Sequence, residues 1–402
     1  MSGGMIAVEM ALEGVRVLDV THFLAGPYVS MLLADMGAEV IKVERPEGDE
    51  SRKIAPIISD VIGTCFLASN RNKKGITLNL ATAEGADIFK RLVKVSDVVV
   101  ENFRPGTFAR LGISYDELSR VNPGIIMTSV SGFGQYGPYS HRTALDIVAQ
   151  AMGGLMSYTG YPDGPPTRTG NAMGDFLGGL FGAYGTLAAL HYRERTGKGQ
   201  WVDSSMHDAV VAVLENAVTN YMALGEVWQR DGSRTRGNAP YNAYEAKDGW
   251  LVIGVTGNVL WARFAKAMGR EELASDPGFG SDTARRQNVN LVDEVVSGWV
   301  KTHTVAEVIA ICDEAGVPCG PVLSVDQVPD DPQVKARRMV EKVDYPGAGP
   351  VWLSGVCPKL SATPGAVYAP PPTLGQHNEE VYGKLLGFDR NYIKDLHDRK
   401  VI

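Results

Sequence analysis

Short apolar segments alternate with helical segments through the first 130 residues, and this alternation limits the fold more than any other feature. The runs typical of buried strands are 15–20, 40–43, 76–80, 98–100 and 125–130. Helical periodicity lies between them, over 28–36 and 84–95. Strands that alternate with helices pair in parallel, because each helix returns the chain to the same edge of the sheet. The sequence therefore predicts an α/β fold with a parallel sheet covered on both faces.

The rest of the chain differs in character. Residues 145–225 are mostly helical. The segment 231–240 is polar and contains glycine, as a linker or a binding loop does. Residues 241–325 mix short strands with helices, and the tail from about 330 is Pro-rich and then helical. This pattern predicts a smaller α+β unit after the α/β one.

Composition excludes some classes of protein. The chain has 402 residues, of which 44% are apolar and 21% charged, with a net charge of −7. These values are typical of a globular protein, and the acidic balance argues against non-specific nucleic-acid binding. No uncharged apolar run has transmembrane length, and residues 1–10 lack the parts of a secretion signal. The four cysteines form no C-x-x-C pair, so we expect reduced thiols and a cytoplasmic location.

One carboxylate, Asp175, stands in an apolar, small-residue setting. No basic residue lies within three positions of it, and a helical pattern rich in glycine and alanine follows. Burial raises the energy of an ionised carboxylate and can make it a better nucleophile. An aspartate at the start of a helix is more often a cap that accepts hydrogen bonds from the first N–H groups. Both interpretations stay open on this segment alone.

The segment 132–137 matches the G-x-G-x-x-G spacing and follows a predicted strand. A dinucleotide-binding fold needs the third glycine to open a helix at once, but Pro138 and Tyr139 follow Gly137. A nicotinamide or flavin cofactor is therefore not expected, and a glycine loop over a site or a plain turn fits better. Because H-E-x-x-H, P-loop and G-x-S-x-G motifs are missing, neither a metal site nor a hydrolase nucleophile is predicted.

Polar side chains follow the early strands, at the edge where open α/β sheets bind ligands. His22 follows the first strand, and either a ligand contact or a structural role with a backbone partner fits it. Arg45, Lys73 and other basic residues follow the neighbouring strands. They either converge on phosphates, which suit Arg forks and Lys point charges, or are simply solvated.

Short motifs stand in order along nearly the whole chain. They are 12–19, 25–27, 33–44, 70–74, 100–106, 122–123, 174–175, 195–200, 208–210, 316–322 and 331–333. As an ordered set they resemble the class III CoA-transferases, the formyl-CoA transferase-like or CaiB/BaiF family, although no single piece is specific.

The resemblance implies that Asp175 is the nucleophile of an acyl transfer. Its carboxylate would attack a donor acyl-CoA to give a mixed anhydride, and the returning CoA thiolate would give an aspartyl-CoA thioester that supplies an acceptor acid. The residues at family positions for CoA are His22, Arg45, Lys73, Asn102, Phe103, Arg110 and Asp146. Asp146 equally suits a helix cap. No cofactor is implied beyond coenzyme A as part of the substrate.

Candidates for contacts with the acid substrate lie in loops. They are Gly134, Gly137, Arg168, Gly237 and Asn238. The glycine loops suit stabilisation of oxyanions by backbone N–H groups. Arg168, together with Arg234 and Arg236, suits a second carboxylate or is solvated, so a small dicarboxylate such as succinate is the first expectation.

The same fold also carries 2-methylacyl-CoA racemases, which resemble this chain around Asp175. Those enzymes use a paired His-Asp to remove a proton, and this chain has Leu145 and Asp146 at the matching place. Without the imidazole, the base that the reaction needs is missing. We therefore expect a transferase rather than a racemase or a CoA-binding scaffold.

The resemblance also implies an architecture. Residues 1–225 and 326–402 would form one large Rossmann-like domain from both chain ends, and residues 226–325 would form a small α+β domain. The family's subunits interlock ring through ring as a homodimer, which makes folding and dimerisation inseparable. The expected partners are an acyl-CoA, a small carboxylic acid and a second copy, with no nucleic acid and no membrane.

Overall fold

The computed structural model describes residues 10–402 as strands and helices in alternation. The strands are β1 Arg16–Asp19, β2 Glu39–Glu44, β3 Ile57–Ile58, β4 Ile62–Gly63, β5 Lys73–Thr77, β6 Val98–Glu101, β7 Ile126–Ser131, β8 Trp201–Ser205, β9 Tyr241–Glu245, β10 Trp250–Gly254, β11 Cys319–Pro321, β12 Val340–Tyr345 and β13 Gly349–Ser354. The helices are α1 Ala25–Asp35, α2 Thr64–Ser69, α3 Ala83–Lys94, α4 Thr107–Arg110, α5 Tyr115–Val121, α6 Asp146–Met152, α7 Leu155–Tyr158, α8 Met173–Thr196, α9 Met206–Ala212, α10 Ala217–Leu224, α11 Gly257–Ala267, α12 Asp282–Gln287, α13 Val289–Val300, α14 Val305–Ala315, α15 Pro332–Ala336 and α16 Arg390–Asp398. Short 3-10 turns cover Glu50–Lys53, Glu271–Ala274 and Val328–Asp330, and a π-helix covers Glu379–Leu385.

Six strands form one parallel sheet in the order β5-β2-β1-β6-β7-β8. Val17 of β1 pairs with Val40 of β2 on one side and with Val98 of β6 on the other. This is the doubly wound order of dinucleotide-binding sheets, in which the direction of winding reverses between β1 and β6. The carboxyl ends of these two strands therefore diverge and leave a crevice. The predicted α/β fold with a central parallel sheet is confirmed.

Helix α8 packs against α1 and the sheet through its glycines. An added Cβ at Gly182 would lie 3.0 Å from the Val29 side chain of α1, and one at Gly185 would lie 2.7 Å from Val202 of β8. Close approach of this kind needs residues without side chains. The small-residue pattern after Asp175 is thus a packing surface, and it fixes the start of α8 against α1.

The C-terminal part of the chain covers β5, the edge strand of the sheet. Asn72 accepts hydrogen bonds from the backbone N–H groups of Tyr368 and Ala369 at 2.8 and 2.9 Å. The N–H of Gly75 donates to His377 at 3.0 Å, and that of Thr77 donates to the Asn378 side chain at 2.9 Å. Side chains thus use the edge groups that would otherwise pair with another strand.

The described chain divides into two compact units. The first comprises the described residues up to Leu155, Arg168–Leu224 and Pro332–Ile402, and the second comprises Met156–Thr167 and Gly225–Asp331. The first unit contains the six-stranded sheet, and also the hairpin β12–β13, which the sequence analysis did not anticipate. The domain boundaries at 225 and 325 stay a prediction.

The second unit is built on a three-stranded antiparallel sheet, in the order β11-β10-β9. Its core includes Leu251, Trp261, Phe264 and Val296, all fully buried. No single helix in residues 10–402 is long and apolar enough to cross a membrane. One pair of helices, α13 and α14, passes that test together on length and composition, with a bend of 115° between them.

Residues 1–9, which bear on the expected lack of a secretion signal, lie outside the described part of the chain. The four cysteines are free thiols. The cytoplasmic location stays a prediction.

Candidate active site

A cavity of about 570 Å³ lies at the carboxyl edge of the sheet, in the size range of ligand pockets. It is lined by the segments that follow β1, β2, β5 and β6, including residues 20–23, 43–45, 47–50 and 78–81, with Phe103, Arg104, Thr107 and Leu111. The crevice where the strand order reverses is the place at which ligands bind to sheets of this type. The cavity is therefore the candidate ligand-binding site of the first unit.

One wall of this cavity contains His22 and Phe103, and Asn102 is hydrogen-bonded to the backbone of His22. Asn102 accepts a hydrogen bond from the His22 N–H at 2.9 Å and donates to the His22 carbonyl at 2.8 Å. The ring of His22 lies 5.1 Å from that of Phe103 between centroids. Burial lowers the pKa of His22, so the imidazole is mainly neutral at pH 7. Asn102 thus holds the loop after β1 in place, and the rings of His22 and Phe103 line the cavity.

The three predicted basic residues have different surroundings. Arg45 lines the cavity and is exposed, although it donates to the Gly48 carbonyl at 3.0 Å and to Glu50 at 3.0 Å. Arg110 is exposed and donates to Thr107, which lines the cavity, at 2.9 Å. Both guanidinium groups carry further N–H donors that a phosphate can use.

Lys73 is buried, and its three donors are used inside the protein. Its ammonium group lies 2.8 Å from Asp19, 2.9 Å from the Pro27 carbonyl and 2.9 Å from Asn70. Burial lowers the pKa of Lys73 to about 8, against the opposing charge of Asp19. In this arrangement a contact between Lys73 and CoA would require one of these hydrogen bonds to break.

Asp19, at the end of β1, is the partner that keeps Lys73 charged. Burial alone would raise the pKa of Asp19, but the ammonium groups of Lys73 and Lys42 outweigh burial and hold that pKa well below its usual range. Lys42 in turn donates to the Thr21 carbonyl at 2.8 Å. These buried charges fix the loop that contributes His22 to the cavity.

Glu44 closes β2, where a dinucleotide fold keeps the acid that binds a ribose. Here Glu44 accepts two hydrogen bonds from Arg52, both at 2.7 Å, and one from the Asp49 N–H at 2.9 Å. Because these bonds occupy the carboxylate, it shapes the loop 45–50 and is not free for a ribose. The G-x-G-x-x-G segment likewise opens no helix, since the next helix, α6, begins at Asp146.

Asp175 is the third residue of α8, and it is not the cap. The cap position is Ala172, which offers no side-chain acceptor. Within residues 10–402 the Asp175 carboxylate forms no hydrogen bond. Burial, and then the charge of Asp146, raise the pKa of Asp175 to about 7. A half-buried, unpaired carboxylate with a raised pKa is typical of functional sites.

Asp146 lies beside the start of α8 and does not line the cavity. It accepts a hydrogen bond from the Gly174 N–H at 2.7 Å and from the Gln150 amide at 2.9 and 3.0 Å. Arg168 approaches the same carboxylate at 4.0 Å and donates to the Gly170 carbonyl at 3.1 Å. The structure thus places Asp146 near Asp175, with Arg168 beside Asp146.

The glycine loop 132–137 follows β7 and faces a second cavity, of about 340 Å³. Gly134 and Gly137 have φ values of +83° and +92°, which favour glycine. The N–H of Gln135 donates to Asp203 at 2.8 Å, so this loop donor is already used. No hydrogen bond joins the described loop to Asp175.

Gly237 and Asn238 belong to the second unit. In that unit Arg234 pairs with Asp293 at 2.7 Å, and Arg236 stacks over Trp228 with its guanidinium carbon 4.9 Å from the ring centroid. Of the three arginines proposed for a second carboxylate, Arg168 is the one in the same unit as Asp175.

Gln150 is a site residue that the sequence analysis missed. Its side chain is fully buried and links Asp146 to Thr169. The spacing of four residues between Asp146 and Gln150 on a helical segment is a signal for such a contact. The contact with Thr169 had no signal, because it joins separate elements. In residues 10–402 no group of three or more His, Cys, Asp or Glu side chains is arranged to hold a metal ion.

Comparison with known proteins identifies the family. The model of CoA-transferase family III matches residues 12–378, and the chain belongs to that family. It is an enzyme of the CoA-transferase class.

Individual relatives cover nearly the whole chain. A succinyl-CoA--D-citramalate CoA-transferase from Chloroflexus aurantiacus is 42% identical over 97% of this chain and 98% of that protein. A succinyl-CoA:glutarate CoA-transferase from Mus musculus is 38% identical over 96% of this chain and 88% of that protein. The crystal structure of a CaiB/BaiF family protein from Brucella suis superimposes with a TM-score of 0.83 at 35% identity, covering 94% of this chain and 99% of that one.

Proposed function

We propose that this enzyme transfers CoA from succinyl-CoA to a small dicarboxylic acid, with Asp175 as the nucleophile. The observation that carries the proposal is the half-buried Asp175 carboxylate, which has no hydrogen bond among residues 10–402, no capping role and a raised pKa. The names of both relatives described above pair succinyl-CoA with a dicarboxylic acid, which supports the choice of substrates.

The proposed reaction has four steps. The Asp175 carboxylate attacks the thioester carbonyl of succinyl-CoA, the C–S bond breaks, and a mixed anhydride and CoA thiolate form. The thiolate attacks the aspartyl carbonyl of the anhydride, which releases succinate and leaves an aspartyl-CoA thioester. The acceptor carboxylate attacks that thioester, giving a second anhydride and CoA thiolate. The thiolate then attacks the acceptor's acyl carbon, which yields the new CoA ester and restores Asp175.

The environment of Asp175 suits this chemistry. Burial and the charge of Asp146 raise the pKa of Asp175 to about 7, so the attacking carboxylate is still accessible near neutral pH. An ionised carboxylate without hydrogen bonds attacks a carbonyl carbon more readily than a solvated one.

We place part of the CoA molecule in the 570 Å³ cavity. Its carboxyl-edge position, the rings of His22 and Phe103 and the exposed Arg45 support this placement. The rings suit the adenine or the pantetheine chain, and Arg45 suits a phosphate. The exposed Arg110, which donates a hydrogen bond to Thr107 of the cavity lining, would bind a further phosphate.

Arg168 would bind the distal carboxylate of the acceptor. It is exposed, and it lies 4.0 Å from Asp146, whose charge acts on Asp175. A guanidinium near the nucleophile would hold one carboxylate of a diacid while the other reacts.

We further propose that the enzyme is an interlocked homodimer. On α8, Leu180, Tyr184 and Leu187 are exposed, and α10 contains apolar residues such as Tyr221 and Met222 while none of its residues is buried. Apolar helix faces of this extent are typical of surfaces that a partner covers. Sedimentation at concentrations down to the nanomolar range would test this, because an interlocked pair does not dissociate without unfolding.

To test the reaction, the enzyme is mixed with succinyl-CoA and one candidate acceptor acid at a time. The CoA ester of that acid is then measured by mass spectrometry. Dicarboxylic acids such as glutarate and citramalate should accept CoA, whereas acetate and butyrate should accept it poorly. Arg168→Gln should raise KM for the diacids roughly tenfold and leave the monoacids unchanged, with Arg168→Lys intermediate. Uptake of deuterium from D₂O into 2-methylacyl-CoA, without any transfer, would instead identify a racemase.

A further inference from the structure

Helix α8 begins without a cap of its own. The cap position, Ala172, has no side-chain acceptor, so the first N–H groups of α8 need a partner from elsewhere. Asp146, at the start of α6, supplies that partner by accepting the hydrogen bond from the Gly174 N–H at 2.7 Å. An added Cβ at Gly174 would lie 3.2 Å from the same Asp146 oxygen, so glycine lets the two helices approach. The cap therefore comes from a residue 28 positions earlier.

Gln150 fixes the orientation of that cap. Its amide nitrogen lies 3.0 and 2.9 Å from the two oxygens of Asp146. Its amide oxygen accepts hydrogen bonds from the N–H and the hydroxyl of Thr169, at 3.0 and 3.1 Å. Gln150 is fully buried and uses both ends of its amide, so it joins α6 to the segment that leads into α8. A buried amide with both ends paired holds its partners in one geometry.

We propose that Gln150 is a positioning residue for Asp175: it orients Asp146 to cap α8 from α6, which leaves the Asp175 carboxylate free at the third helical position. The inference rests on the proposed function, because a free carboxylate matters only if Asp175 reacts. An aspartate at the start of a helix commonly spends its carboxylate on the first N–H groups. Capping from α6 removes that demand.

The same arrangement directs the charge of Asp146 at Asp175. The titratable and charged groups around the start of α8 are Asp146 of α6, Tyr28 of α1, Cys65 of α2 and Arg168 on the preceding segment. After burial, Asp146 is the group that raises the pKa of Asp175. A neutral residue at position 146 that still accepts a hydrogen bond keeps the cap on α8 and removes the charge, so the two effects of Asp146 can be measured separately.

The test measures ionisation of Asp175 without using the reaction. A water-soluble carbodiimide with an amine labels protonated carboxyl groups, and the labelled fraction of the Asp175 peptide is followed by mass spectrometry from pH 5 to 9. Asp146→Asn should move the midpoint of labelling down by about one pH unit, because one like charge is removed. The double variant Asp146→Asn with Gln150→Glu exchanges carboxylate and amide, and it should return the midpoint toward the wild-type value.

Gln150→Leu provides the second readout. It should lower kcat roughly tenfold with KM for the acyl-CoA within about twofold, since the nucleophile is displaced while the CoA cavity is intact. A midpoint that Asp146→Asn leaves unchanged, or an exchange variant that shows no recovery, would overturn the inference. If Asp146→Asn does not fold, the double exchange variant is the test. The inference then requires that this variant folds and that its Asp175 peptide is labelled with the wild-type midpoint. Labelling as expected in an enzyme that transfers no CoA would overturn the proposed function alone.

Discussion

Gly179 of α8 packs so closely on α1 that an added Cβ would lie 2.7 Å from the backbone carbonyl oxygen of Ala25. Neither backbone can yield easily, because α1 also contacts α8 through Tyr28 and Phe176, whose rings lie 5.0 Å apart. This contact fixes the turn that carries Asp175 one helical turn away.

Gly179→Ala should therefore destabilise the protein by about 2 kcal/mol and lower kcat, since the helix start must shift. The control is Gly298→Ala in α13, where nothing lies within 4 Å of an added Cβ. That substitution should be neutral or stabilising by up to about 1 kcal/mol, because alanine favours helices. Denaturant unfolding of both variants makes the comparison, and equal effects would contradict the packing role of Gly179.

The pH dependence of kcat/KM should report the ionisation of Asp175. Burial, and then Asp146, raise its pKa to about 7, and only the carboxylate attacks. Below about pH 6 the rate should rise about tenfold per pH unit, and it should level off above about pH 8. Glu101, whose pKa burial also raises to about 7, is the competing group. Glu101→Gln should leave the profile in place, and a profile that moves with this variant would assign the ionisation to Glu101.

Asp175→Asn should stabilise the protein at alkaline pH. The folded-state pKa of Asp175 is raised, so its contribution to stability is present below the unfolded pKa of about 4 and is lost as pH rises through 7. The variant has no charge to bury, so its advantage over the wild type should grow between pH 4 and 8 by up to about 4 kcal/mol. Thermal unfolding at a series of pH values measures this difference, and a constant difference would mean that the carboxylate is not buried when charged.

Arg45→Gln should raise KM for succinyl-CoA roughly tenfold and change kcat little, because a phosphate contact contributes equally to ground and transition states. The matched control is Arg120→Gln, on the exposed side of α5 and away from the cavity. Initial rates over a range of succinyl-CoA concentrations compare the two. Equal KM values in both variants would place CoA elsewhere.

The strands β1, β2, β6 and β7 and the helices α1 and α3 could be predicted because their burial follows from local sequence. The third predicted strand, 76–80, is three residues late, since β5 is Lys73–Thr77, and the short elements β3, β4, α2, α4 and α5 were not predicted. Val17 and Val99 are fully buried in short apolar runs bounded by polar residues. The hairpin β12–β13 was not predicted because its first strand alternates weakly, with the polar residues Glu341 and Lys342 before Val343. The prolines of the surrounding segment are typical of loops, and they made the hairpin still harder to predict.

The site was less accessible to prediction, since its decisive contacts join residues far apart in the chain. The small-residue setting marked Asp175, but the choice between cap and free carboxylate depended on Asp146, which takes over the hydrogen bond to Gly174. The buried hydrogen bond between Lys73 and Asp19 could not be predicted, because the two residues are 54 positions apart; the role of Lys73 in CoA binding stays a prediction. Sequence patterns report local burial, and they do not report which side chain satisfies a distant donor.

The most direct measurement of the central claim is the mass of the intact subunit after mixing with succinyl-CoA and then hydroxylamine. An aspartyl-CoA thioester would be trapped as a hydroxamate. We expect this modification in the wild type, on the peptide that contains Asp175, and none in Asp175→Asn. A wild-type enzyme that turns over succinyl-CoA without any hydroxamate, or with one on another peptide, would contradict Asp175 as the nucleophile.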